Sequence, residues 1–380
     1  MFFSKKPESE LILIIDVQSS VVRGSLVLIR DSQPLDVVFS HEKIVPYRVS
    51  GGSPYLIKMS LRAVNEAIEA VLRHLSLNGH ASGLPKKIRA VHYVLSSPWI
   101  VSQAKTISVD LPKEGAITQA RVMELVEKER ATLVPESNKE VTPIEEKVFD
   151  VRLNGYSVAN WQNREARHVD ISFVMSLAGA AMMDRFREAC RHVVPARRIS
   201  FHSSLLLQTI AIERLMPDRT SYTLIHVHGE LTDVVSVSHG HCVFFGSYPI
   251  GDYTVIRKVA HGMKTDLHAA DSLLSLHGAK HVDASERRTG KDVIEDVSKG
   301  WSAELDKLFA GEAAAAPLRE VVISSRGHEE FFVESFKKAH PESQLEILSF
   351  DHLASRVRYG TYVEKLRQTG LYAVAIHAIM

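Results

Sequence analysis

The chain should fold as an α/β protein on a duplicated plan, with a smaller unit set into its first half. Three observations predict this. Two β-meanders, beginning near residues 11 and 222, are each followed by helical segments. Between them lies a run that reads strand, helix, strand, strand. The length of 380 residues also exceeds what one core usually supports, about 250–300 residues.

Each element has a local reason. Leu11–Asp16, Val22–Arg30 and Leu35–Phe39 are aliphatic runs and read as successive strands. Gly51-Gly52-Ser53-Pro54 breaks that pattern. Leu61, Val64, Ile68, Val71 and Leu75 then recur at helical spacing, closed by Asn78-Gly79. Residues 79–87 read as a loop and Ile88–Leu95 as a strand. Ala104–Leu111 alternates as a strand does. Thr118 is placed to cap a helix whose apolar face is Val122, Leu125 and Val126. Val148–Leu153 and His168–Val174 are further strands. A helix over Ala181–His192, a strand at Ile199–Phe201 and an apolar helix over Leu205–Leu215 follow, the last capped by Ser203-Ser204.

The second meander is Tyr222–Val227, Thr232–Val237 and Cys242–Tyr248. A helical stretch runs to Phe309, and "AGEAAAAP" is a small-residue linker. Val321–Ile323 is a short strand entering a helix. The end, "LYAVAIHAIM", is an apolar tail that should be buried. The expected division is 1–87 for a first half and 88–177 for the inserted unit. Residues 178–220 are linking helices. Residues 221–350 are a second half with helices at about 255–317, and 351–380 return to the first half.

Charge excludes some functions. Lys and Arg number 46 and Asp and Glu 45, so bulk charge does not drive the chain onto nucleic acid or anionic lipid. No run of about 18 uncharged apolar residues is present, so direct membrane insertion is not expected. Cys190 and Cys242 give neither a disulfide framework nor a zinc pattern, which suits a reducing cytoplasm. Gly290-Lys291 is followed by Asp292 and makes no P-loop. His226, His228, His239 and His241 suggest a metal. However, a strand of about seven residues separates the two pairs by roughly 20 Å. They read as surface or turn histidines.

The two hairpins become informative together. "IIDVQSSVVRGSLV" resembles the first phosphate hairpin of actin-like ATPases, in the form seen in the bacterial FtsA and PilM proteins. Asp16, Ser19, Ser20 and the base Arg23 match that pattern, while Gln18 replaces its glycine. "LIHVHGELTDVVSVSHGHCVFFGSYPIG" resembles the second phosphate hairpin. Gly229, Thr232, Asp233, Ile250 and Gly251 fit. His226 stands where an Asp belongs, and His228 and Asp252 replace glycines. Ala270-Asp271 resembles the Ala-Glu of the helix that touches the nucleoside, with Leu274 where a Lys is usual. "VVISSRGHEEF" resembles the adenosine loop: Ser324 and Gly327 fit, and Ser325 and Arg326 replace glycines. The strand–helix–strand–strand unit is similar to the extra domain of FtsA and PilM.

The resemblance implies an actin-like fold, with duplicated ribonuclease H-like halves and that inserted subdomain. It implies ATP as ligand, with Asp16 as the one surviving acid for Mg²⁺. The departures count against turnover, because phosphate contacts need glycine backbone and a hard cation needs oxygen. An emptied site, a site that binds without hydrolysis and a working ATPase stay open, in that order. No cofactor is required by this reading. The first expectation is a PilM-like cytoplasmic scaffold for a type IV pilus or secretion platform. Its partner would be a short cytoplasmic peptide of a PilN-like membrane protein, which would hold the chain at the inner membrane. The alternative is an FtsA-like division adaptor that self-associates and binds the FtsZ tail.

Overall fold

The structure, a computed structural model, describes residues 9–30, 33–46, 53–79, 83–134, 140–158, 160–277, 286–310, 318–325, 327–360 and 367–380. The first part holds β1 (Glu10–Val17), β2 (Val21–Ile29), β3 (Leu35–Ile44), α1 (Ser53–Asn78) and β4 (Ala90–Leu95). Next come β5 (Ile100–Ile117), α2 (Gln119–Leu133), β6 (Val141–Leu153), β7 (Tyr156–Ser157) and β8 (Arg164–Gly179). The chain continues through α3 (Ala180–Cys190), β9 (Ile199–Ser203) and α4 (Ser204–Leu215). The second meander is β10 (Tyr222–Val227), β11 (Thr232–Ser238) and β12 (His241–Tyr248). It is followed by α5 (Asp252–Met263), α6 (Leu267–His277) and α7 (Glu286–Ala310). The last elements are β13 (Glu320–Ser325), α8 (Glu329–Ala339), β14 (Gln344–Ile347), α9 (Phe350–Leu353), β15 (Val357–Tyr359) and α10 (Arg367–Ile379).

Three sheets result among the described residues. The first has the order β15-β3-β2-β1-β4-β9, the second β12-β11-β10-β13-β14, and the third β5-β8-β6-β7. In β1 every other side chain goes to a different core. Leu11, Leu13, Ile15 and Val17 join Val64, Ile68 and Val71 of α1 and Phe186 of α3. Ile12 and Ile14 join Leu206 and Ile210 of α4 and Tyr372 and Ile376 of α10. A strand covered on both faces reads as a continuous apolar run, as this one does.

The second sheet leans on the same two helices. Leu224, Val235 and Val322 belong to the α4–α10 cluster. Ile225, Val234 and Ile323 face outward to Ile256, Trp301, Phe332 and Phe336 of α5, α7 and α8. So α4 and α10 form a middle layer between two sheets. That position explains why α4 is buried continuously from Ser204 to Ile212 and α10 from Gln368 to Ile376. A helix buried all round has no polar face to show.

The third sheet has its own core. Val122 and Val126 of α2 pack with Val151, Ile171 and Phe173. Thr118 caps α2 by accepting from the Arg121 amide at 3.2 Å, and Ser203 caps α4 by accepting from Leu206.

Several expectations need correction. A boundary at 88 would place β4 with the inserted strands. Instead β4 pairs in parallel with β1 and β9 in the first sheet, and the third sheet starts at Ile100. The strand expected at Ile199–Phe201 is β9, so the stretch 178–220 is not helices alone. The returning segment is not all helix, since β15 pairs with β3. Gly51, Gly52, residues 311–317 of the linker and Arg326 lie outside the described residues.

Candidate functional site between two hairpin turns

The β1–β2 turn is tight: the Gln18 amide donates to the Val21 carbonyl at 2.9 Å. Register then decides the charges. Asp16 is the cross-strand partner of Arg23, and Arg23 is the partner of Glu42 on β3. Opposed residues share a face, so the three side chains line up across three strands. Arg23 Nη1 donates to Asp16 Oδ2 at 2.7 Å, and Arg23 Nε donates to Glu42 Oε2 at 2.7 Å. Gln18 Nε2 adds a bond to Asp16 Oδ2 at 3.0 Å. The Asp16 and Arg23 side chains are only 4% and 1% exposed. Burial pushes the Asp16 carboxyl above its ordinary value, against the pull of Arg23.

The β10–β11 turn is closed by the His228 amide on the Leu231 carbonyl, at 3.1 Å. This brings His228 back over the strand. Its Nε2 sits 3.0 Å from Asp233 Oδ2, and both side chains are buried. Burial alone would raise the Asp233 carboxyl, but the adjacent His228 holds it below the usual carboxylate range. The Ser97 amide, just past β4, also donates to Asp233 at 3.2 Å. His226 lies opposite Asp233 in register, and among the described residues neither of its ring nitrogens meets hydrogen-bond geometry with a partner. Burial, with His228 alongside, pushes its pKa down to about 3. His226 and His228 are therefore core histidines, each 1% exposed, not the surface residues expected. They are covered because the two turns meet.

The meeting is direct. Ser19 Oγ accepts from the Glu230 amide at 2.9 Å and lies 3.3 Å from His228 Nδ1. Tyr253 Oη donates toward the carbonyls of Ser20, at 3.2 Å, and Val45, at 3.3 Å. A Cβ on Gly229 would fall 2.4 Å from the Ser20 Cβ, so only glycine allows this approach. The first amides of α5 are also engaged. Asp252 N donates to the His228 carbonyl at 3.0 Å, and Tyr253 N donates to the Gly229 carbonyl at 2.7 Å. A Cβ on Gly251 would lie 2.1 Å from the His228 oxygen.

Asp16, Gln18, Ser19, Ser20, Arg23 and Gly229 are thus brought together. Thr232 is not turned toward them. Its hydroxyl donates to the Ile250 carbonyl at 2.7 Å and accepts from Trp301 Nε1 at 3.1 Å. Asp271, Ser325 and Gly327 form a second group. His328, in the left-handed region at φ 46°, caps α8 between them. Its Nδ1 is 2.6 Å from Asp252 Oδ1, and its Nε2 is 3.3 Å from Asp271 Oδ1. Burial works to lower the His328 pKa, but Asp252 and Asp271 outweigh it and raise it. Ser325 Oγ donates to the Gly327 carbonyl at 2.6 Å. Sequence reading passed over Tyr253 and His328. His328 follows Gly327 directly, but its aspartates come from α5 and α6.

A polar cavity of about 460 Å³ opens behind Asp233. It is lined by Ser97, Ser203, the edge strand β5 at 100–105 and the edge strand β12 at 243–247.

These features define a mixed α/β protein with an actin-like ATPase fold. A solved structure shares it. A PilM-PilN type IV pilus biogenesis complex matches with a TM-score of 0.63 at 14% identity, covering 96% of each chain. EutJ, an ethanolamine utilization protein of Carboxydothermus hydrogenoformans, matches with a TM-score of 0.44 at 12% identity, covering 97% of this chain and 91% of that one. At 14% identity the first likeness shows the fold alone, and the second carries no argument. No family model matches the sequence, and no curated protein matches it. Among the described residues no helix is long and apolar enough to cross a membrane.

Proposed function

We propose that this chain is an actin-fold adaptor with a role similar to that of PilM, in which the hairpin pair is a fixed joint between the halves. It would hold a short cytoplasmic segment of a membrane-protein partner and sit at the inner membrane of a type IV pilus or secretion platform through it. The observation that carries the reading is the direct bonding of the two turns, Ser19 to Glu230 and His228. In this position a nucleotide's phosphates would need glycine backbone and free amides. Here Arg23 holds Asp16, His228 holds Asp233, and the α5 amides bond to the neighbouring turn. The residues present do not fit Mg-ATP.

Calorimetry with Mg-ATP tests this. No binding tighter than about millimolar, near −4 kcal/mol, is expected. The triple substitution Gln18→Gly, His226→Asp, His228→Gly should strengthen it by restoring an oxygen ligand and two backbone approaches. Micromolar binding by the native chain, abolished by Asp16→Ala, overturns the reading.

The partner segment would lie in the polar cavity where the inserted unit meets both halves. Val101 and Val243 are exposed there, 59% and 45%, on unpaired strand edges. Exposed edges take up extended peptides by strand addition. Val101→Glu with Val243→Glu should lose a partner that the native chain captures. Retention of that partner places the contact elsewhere.

A further inference from the structure

A second concavity lies at the opposite end of the first sheet from the hairpin turns. Its volume is about 560 Å³, within the usual range for binding sites. Leu35 at the start of β3 and Val374 and Ala378 of α10 give it an apolar wall. Arg214, Arg356 and His377 supply its basic groups, and among the described residues no carboxylate lines it.

These basic groups come from three separate elements. Arg214 is in the last turn of α4, His377 is in the last turn of α10, and Arg356 immediately precedes β15. Among the described residues none of the three makes a salt bridge, whereas Arg30, just past β2, pairs with Asp36. Favourable interaction with helix C-termini accounts for basic residues at the ends of α4 and α10. It does not account for Arg356, nor for all three converging on one hollow that no acid among the described residues lines.

We propose that this concavity binds a short acidic peptide segment, with an apolar side chain seated against Leu35 and Val374 and its carboxylates on Arg214 and Arg356. Arginine suits such a contact because its planar fork pairs two donors with one carboxylate. The hollow shape favours a peptide over a membrane surface, since a bilayer presents no side chain to enter a recess. The inference is independent of the adaptor reading and uses none of its residues.

Fluorescence anisotropy with a labelled peptide of two leucines flanked by pairs of glutamates tests it on the full chain. The native protein should bind, and the same peptide with glutamine for glutamate should bind about tenfold more weakly. Arg214→Glu with Arg356→Glu should abolish binding with only a small drop in melting temperature, since both side chains are exposed. Ala378→Trp fills the hollow but keeps the charges, and should also weaken binding. The proposal is overturned if the native protein fails to bind at millimolar peptide. It is overturned equally if the arginine variant binds as well as the native chain. Arginine-dependent capture of phosphatidylglycerol vesicles without peptide binding would assign the site to lipid and also overturn it.

Discussion

The two hairpins share a backbone plan but neutralise their buried acids differently. In the first, Asp16 faces Arg23 across the strand pair, and Glu42 shares the same guanidinium. In the second, Asp233 is held by His228 from the turn and by the Ser97 amide. An arginine stays charged at any pH a protein meets, whereas a histidine is a weaker cation that can be neutral. The first hairpin is thus an ion network inside one sheet whose cation does not titrate. The second is a set of hydrogen bonds that also reaches the other half. Replacing single groups should separate the two cases.

The largest effect should come from Arg23→Ala, which leaves Asp16 and Glu42 without their shared cation. Breaking a buried pair from one side costs about 3–5 kcal/mol. Urea denaturation should show it as a lower midpoint, and Arg23→Met with Asp16→Asn should recover part of the loss. His228→Ala should cost less, about 1–3 kcal/mol, because Asp233 keeps the Ser97 amide. Equal losses for the two substitutions would erase the contrast.

Acid should act through the second hairpin. His226 has its pKa depressed from 6.5 to about 3. The unfolded chain takes up a proton as pH falls through 6.5, and the folded chain resists it until near 3. The stability contributed by neutral His226 is therefore present above 6.5 and is lost as pH falls. The slope is about 1.4 kcal/mol per pH unit, on the order of 3 kcal/mol by pH 4. His226→Leu should flatten the urea midpoint over that window. An unchanged slope would place the acid sensitivity elsewhere.

Gly229→Ala tests the contact between the turns. Its Cβ would overlap Ser20, so the tips must part, at about 1–3 kcal/mol. Hydrogen exchange at the Glu230 amide should quicken. The smallest effect expected is for Ser19→Ala, about 1 kcal/mol, since it removes one acceptor from that amide. Protection of the Glu230 amide that survives Ser19→Ala would mean another group holds it.

Much of this was legible in the chain. The apolar runs at 11–16 and 222–227 and the apolar helix at 205–215 come from burial on every side, a strong compositional signal. Asp16 opposite Arg23 is also readable, because a tight turn fixes the register. What could not be read depends on distant partners. The β4 strand looks the same whether its neighbours are β1 and β9 or the inserted strands. Tyr253 reaches Ser20 across 233 positions. The short strands β14 and β15, four and three residues long, lack enough alternation to stand out.

The shared middle layer has a consequence for synthesis. Both large sheets cover their inner faces with α4 and α10, and α10 ends at Ile379. Until the ribosome has made α10, Ile12 and Ile14 of one sheet and Leu224 and Val322 of the other lack part of their cover. Each half must therefore wait, incomplete, for the same late segment. A nascent chain with that much apolar surface in waiting is a natural client for chaperones, and a stop before α10 would strand both halves at once.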